Sequence, residues 1–173
     1  MTAERQEGNG KWPGMAIRLG FALVALCGAL WSAAIPFAVQ ASTTQRIVVN
    51  RFTGLAIESF DPVAYFVDSR PELGREEYEA AQGGAVWRFR NEGNRASFVA
   101  HPEIYGPQYG GYDPVGVARG VTVAGNPRFW VVSGERLYLF GLETNRDAFA
   151  ADPQRYLALA DTRWPGLERG LAQ

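Results

Sequence analysis

The spacing of apolar and polar residues divides the chain into two regimes. From Leu19 to Val39 no residue is charged (LGFALVALCGALWSAAIPFAV), and a run of that length is directed to a membrane. Lys11 and Arg18 precede it, which sets the N-terminus inside and the remainder outside. Two outcomes stay open. Cleavage can follow Ala41, where Val39-Gln40-Ala41 offers small residues behind the helix-breaking Pro36, or the run stays as a transmembrane signal-anchor. The leading part thus reads as a polar cytoplasmic segment (1–18), an anchor or signal peptide (19–41) and a linker (42–54).

Beyond the linker, short apolar bursts alternate with polar stretches, and the pattern occurs twice. Phe60-Asp61-Pro62-Val63-Ala64 returns as Tyr112-Asp113-Pro114-Val115-Gly116, an offset of 52. Val86–Tyr105 returns as Leu137–Tyr156, an offset of 51, with eight of twenty positions identical. Two separate blocks agreeing on nearly one offset indicate an internal duplication, with units at 55–109 and 110–164 and a tail at 165–173.

Each unit predicts the same elements. Asp-Pro-Val reads as a turn leading into a short strand, because a residue before proline is biased out of the α region. A variable hairpin follows, with helix-forming EEYEAA in the first unit and the Gly-rich VTVAGNP in the second. Next, a strand carries Trp87 and Phe89, or Tyr138 and Phe140, on one buried face. A short helix then opens near Asn91 or Thr144, turns Phe98 or Phe149 inward, and stops at His101-Pro102 or Asp152-Pro153. Tyr105 or Tyr156 packs back, and Trp164 plugs the end. One such unit cannot bury its apolar face alone. The predicted fold is α+β: two pseudo-symmetric β-hairpin-plus-helix units, packed face to face through their aromatic sides as one domain.

Composition narrows the chemistry. With 47% hydrophobic and 13% aromatic residues in 173, the exported part can bury a core without staples. A net charge of −1 with scattered basic residues leaves no nucleic-acid footprint. Every basic residue after Lys11 is arginine, which reads as codon bias or as clamping of phosphate or carboxylate groups. The one cysteine, Cys27, lies inside the apolar run. The exported part is therefore expected to be cysteine-less, without disulfide, thiolate zinc site, iron–sulfur cluster or cysteine nucleophile.

The order Asp-Pro-Val, aromatic strand, Asn-Arg-x-x-Phe-x-x-x-Pro-x-x-Tyr resembles the YHS domain. Pro107-Gln108-Tyr109-Gly110-Gly111-Tyr112 with the later Leu137-Tyr138-Leu139-Phe140 resembles the exported bacterial YHS-domain proteins in particular. The likeness spans about Leu55 to Trp164. It implies a tandem protein of the cell envelope, with its domain in the periplasm and a membrane contact through the N-terminal helix. The related metal-binding modules carry cysteines where this chain has Ala64, Arg90 and Asn94, or Gly116, Gly141 and Asn145, so the resemblance implies no metal or other cofactor here. Asp113 stands where exported relatives carry a cysteine, so the resemblance also implies, as an alternative, a member of a redox family that has lost its cysteine at this position.

Candidate site residues follow. Asp61 and Asp113 are expected to cap their turns or to pair with Arg95 and Arg146 of their own units. Gln108, Tyr109, Tyr112 and Asp113 form the candidate ligand-binding segment, three tyrosines (with Tyr105) around a Gly-Gly that admits close backbone approach. No catalytic set is read. His101 is expected at an exposed helix end. Three readings remain: a non-catalytic module for a small ligand or an envelope protein, a metal-handling protein, or an enzyme built on an accessible Asp113.

Overall fold

The computed structural model describes residues 45–171. The first copy opens with a tight turn at Ile57–Ser59, followed by helix α1 (Ala64–Val67). Strands β1 (Arg75–Gln82) and β2 (Ala85–Phe89) make an antiparallel hairpin. Helices α2 (Glu92–Ala100) and α3 (Pro102–Tyr105) close the copy. The second copy repeats the order: a turn at Gln108–Gly111, α4 (Pro114–Arg119), hairpin β3 (Asn126–Ser133) and β4 (Arg136–Phe140), α5 (Glu143–Ala151) and the longer α6 (Pro153–Arg169). The result is an α+β body with two β-hairpin-plus-helix units.

Irregular features repeat as faithfully as regular ones. Leu55 bridges Val86 in parallel, as Pro107 does Leu137. Gly74 N–H donates to Ser59 O at 2.8 Å, and Gly125 N–H to Gly111 O at 2.9 Å. β1 slips register between Arg75 and Glu79, and β3 does so between Asn126 and Trp130. Both opening turns hold three successive residues at positive φ: 41°, 53° and 71° at Ile57, Glu58 and Ser59, then 54°, 62° and 87° at Tyr109, Gly110 and Gly111. L-residues seldom adopt that region and a β-branched one pays most. A side-chain carbon on Gly110 would also collide with the Arg46 carbonyl.

Three local expectations change. Asp-Pro-Val leads into a helix rather than a strand. In α4 Pro114 occupies the first turn and Asp113 is the N-cap, accepting from the N–H groups of Val115 and Gly116; proline suits that position because its fixed φ is helical and its missing N–H is not needed there. EEYEAA is strand, not helix. Tyr78 and Ala80 turn to the core while Glu79 pairs with Arg88 across the hairpin, so tertiary burial overrides helix propensity. The prolines that stop α2 and α5 also start α3 and α6.

The copies also meet in another way than face to face. One core gathers Tyr65, Trp87, Phe89 and Phe98 of the first copy together with Leu137 and Leu139 of the second. The other gathers Tyr109, Tyr112, Tyr138, Phe140 and Phe149, with Tyr156, Leu157 and Trp164 of α6 against it. Successive residues of β4 therefore feed different cores, as strand alternation demands. The aromatic sides do not face each other. The aromatic side of the first copy packs on the back of the second hairpin, and the aromatic side of the second is covered by α6.

Two further expectations are revised. Cys27 is present, so the chain as a whole is not cysteine-less. No helix among the described residues is long and apolar enough to cross a membrane. The run at 19–39 and the choice at Ala41 lie outside the described residues.

Candidate functional site

Among the described residues, Asp61 and Asp113 are the buried charged side chains, each fully shielded. Asp113 Oδ1 accepts from Val115 N–H at 2.8 Å and Gly116 N–H at 3.3 Å, and Oδ2 accepts from Gly141 N–H at 2.9 Å and the Asn145 amide at 2.7 Å. Asp61 repeats the arrangement with Val63 N–H, Arg90 N–H and the Asn94 amide, at 2.9, 2.9 and 2.7 Å. Each carboxylate ties its turn to the end of the following strand and to the first turn of the next helix. A buried carboxylate persists only when its lone pairs are met in this way.

The anticipated aspartate–arginine pairs do not form. Arg95 binds Glu92, with the shorter contact at 2.5 Å, and Arg146 binds Glu143 and Asp147 at 2.9 and 2.7 Å, all toward solvent. The true partners, Asn94 and Asn145, immediately precede those arginines. Asn94 lies four residues before the inward Phe98, hence on the same helix face, a signal the sequence carried. Repeated Gly74 and Gly125 were also legible: a side chain at either would strike β2 at Arg88 or β4 at Leu139.

The tyrosine segment is divided between seam and groove. Tyr112 is fully buried, donates to the Gln45 carbonyl at 2.6 Å, and lies 5.9 Å from Trp164. Burial pushes its phenol up to about 12. Tyr109 donates to Asp161 of α6 at 2.6 Å and meets Trp164 edge-on at 5.6 Å. Burial, then the Asp161 carboxylate, raises its phenol further. Trp164 is thus the aromatic plug, acting against both tyrosines. Asp113 is sealed beneath, so it offers solvent no base.

Gln108 and Tyr109 border a groove of about 240 Å³. Trp87, Phe98 and Pro107 give it apolar walls, and Glu103 with Gln108 adds polar groups. The Trp87 indole N–H is already spent on the Gln82 carbonyl at 2.9 Å. The space is smaller than the ~300–1,000 Å³ of sites for drug-sized molecules, so it suits one ring or one side chain. His101 is exposed at the end of α2, 3.5 Å from Glu103. Among the described residues no three His, Cys, Asp or Glu side chains gather where a metal ion could be held. Comparison with protein-family models, curated proteins and solved structures returned no match to this chain.

Proposed function

We propose that this chain is an exported, YHS-like binding module without catalytic chemistry, which receives a small ring-bearing ligand or an apolar side chain of an envelope protein. The groove between Trp87, Gln108 and Tyr109 carries this reading. It is a concave surface at the junction of the two copies, where apolar walls supply affinity and two polar side chains supply orientation. The alternative use of the same segment, acid–base work by Asp113, has no support in the geometry, since all its contacts are internal donors. Export rests on the uncharged run from Leu19 to Val39, and the YHS-like character on the repeated Asp-Pro-Val and Asn-Arg-x-x-Phe patterns.

Titrating the ¹⁵N-labelled protein with aromatic fragments and short apolar peptides tests the groove. Saturable shifts at the Trp87 indole, the Gln108 amide and Gly106, lost in Gln108→Trp, are expected. Shifts that survive Gln108→Trp, or that centre elsewhere, contradict it. Fractionation of cells tests export separately; recovery of the protein wholly in the cytosol contradicts that part.

A further inference from the structure

The first copy has a second depression, of about 490 Å³, bordered among others by Arg70, Glu72, Arg75, Tyr78, Arg90 and Asn91. The duplication supplies an internal control for what the scaffold needs there. Asp61 N–H meets the Glu72 carbonyl as Asp113 N–H meets that of Val123. Arg75 pairs with Phe89 as Asn126 pairs with Phe140. Arg90 and Gly141 give their N–H groups to the equivalent carboxylates. The second copy thus fills the same framework with Val123, Asn126, Gly141 and Leu142, and with Val121 near the Arg70 position, all uncharged. The fold is built without the arginines once, so folding alone does not account for three of them around one hollow.

Their hydrogen-bonding capacity is mostly unspent. Arg90 Nη1 holds Asp68 at 2.6 Å and Arg70 Nε holds Glu72 at 2.5 Å. A guanidinium has five N–H donors, so both keep others free. Arg75 is exposed and, among the described residues, has neither an ion-pair nor a side-chain hydrogen-bond partner. Of the other carboxylates nearby, Glu76 and Glu79 are engaged by Arg88 and Glu92 by Arg95, and the exposed Glu77 does not border the hollow. Among the side chains that border the hollow, three guanidiniums stand with one carboxylate, Glu72, while Asp68 reaches in only as a partner of Arg90. Planar forks of this kind match the paired oxygens of carboxylate and phosphate.

We propose that the hollow lined by Arg70, Arg75 and Arg90 is a binding site for a small oxyanion, a carboxylate or phosphate group, separate from the groove at Gln108 and independent of its role. The group arrives on a free molecule or on an anionic lipid headgroup. The test titrates the protein with inorganic phosphate, with citrate, and with vesicles of phosphatidylglycerol in phosphatidylcholine. Side-chain N–H signals of Arg75 and Arg90 are followed by NMR. Saturable binding that weakens with added salt and falls about tenfold or more in Arg75→Asn, while Arg136→Gln at the β3–β4 tip leaves it unchanged, is the expected result. Arg75-dependent binding to the soluble anions assigns the site to a free ligand; Arg75-dependent binding to vesicles alone assigns it to a headgroup. Absence of saturable binding to all three probes overturns the proposal. So does equal weakening by Arg75→Asn and Arg136→Gln. Thermal melts confirm that each variant is folded; Arg75 is exposed and Arg136 half-buried.

Discussion

β2 and β4 hold the same place in their copies, yet β2 buries one face and β4 buries two. On β2 the core side is Ala85, Trp87 and Phe89, and the reverse side is Val86 and Arg88. On β4 the reverse positions are Leu137 and Leu139, completely buried in the first copy's core. Their neighbours follow suit: Glu79 and Ala81 on β1 become Trp130 and Val132 on β3. The copies are therefore stacked in tandem, front to back, and each end needs its own finish. At one end the hairpin turns ion-paired residues outward. At the other, α6 runs 17 residues where α3 has four, bringing Trp164 and Leu167 over the second core. Repeats that stack rather than face one another require such polar or capping ends.

Exchanging one residue between the hairpins should have the largest effect on stability. Leu139→Arg places an unpaired charge inside the first copy's core and is expected to cost at least about 3 kcal/mol, enough to unfold a marginal domain. The reciprocal Arg88→Leu gives up exposed cross-strand ion pairs and should stay within about 1 kcal/mol. Urea denaturation of the two variants measures both, and equal losses would mean that the reverse faces are alike after all.

The aspartates sharpen the likeness instead of the difference. Asp61→Ala and Asp113→Ala each strand several buried N–H donors, and each should lose about 3 kcal/mol, read from the same denaturation curves. A large loss at Asp113 with almost none at Asp61 would mark Asp113 as more than a structural tie.

Alkaline pH should weaken both copies through their buried tyrosines. The Tyr112 phenol titrates in the fold at about 12, against an ordinary value of 10.0, because burial disfavours its anion. A raised folded value means a contribution fully present below about pH 10 and lost as pH climbs toward 12. Tyr109 and Tyr65 shift in the same direction. Stability should be flat up to about pH 10 and fall beyond it, and Tyr112→Phe should soften that fall. Fluorescence-monitored denaturation across a pH series checks the sign. The smallest effect belongs to Arg95→Ala and Arg146→Ala, whose partners are solvent-exposed; no measurable change in midpoint is expected. A substantial loss at either would restore the aspartate–arginine pairing that the geometry rejects.

Much of this organisation was legible in the residues. The two offsets located the copies, the inward Trp87, Phe89, Tyr138 and Phe140, and the paired Asp61 and Asp113. Choosing arginine over asparagine as their partner followed charge where helix phase mattered more. The docking mode was missed for a related reason. Aromatic residues attract attention, whereas the decisive contrast lay between them, in Val86 and Arg88 against Leu137 and Leu139. The β1 strand was hidden by its own composition, since Glu and Ala favour helix and only pairing with β2 makes a strand of them. The groove at Gln108 joins residues from both copies with the tip of the first hairpin, a proximity that no local pattern encodes.

With the second hairpin as a wall shared by two cores, a ¹³C-edited NOESY spectrum should show each face of β4 against a different set of rings. Cross-peaks from the Leu137 and Leu139 methyls to the rings of Trp87, Phe89 or Phe98 are predicted, with the Tyr138 and Phe140 rings connecting to Phe149 and the α6 side. Cross-peaks joining Trp87 or Phe98 to Tyr138 or Phe140, with those methyls silent toward the first copy, would show the aromatic sides meeting and contradict the tandem arrangement.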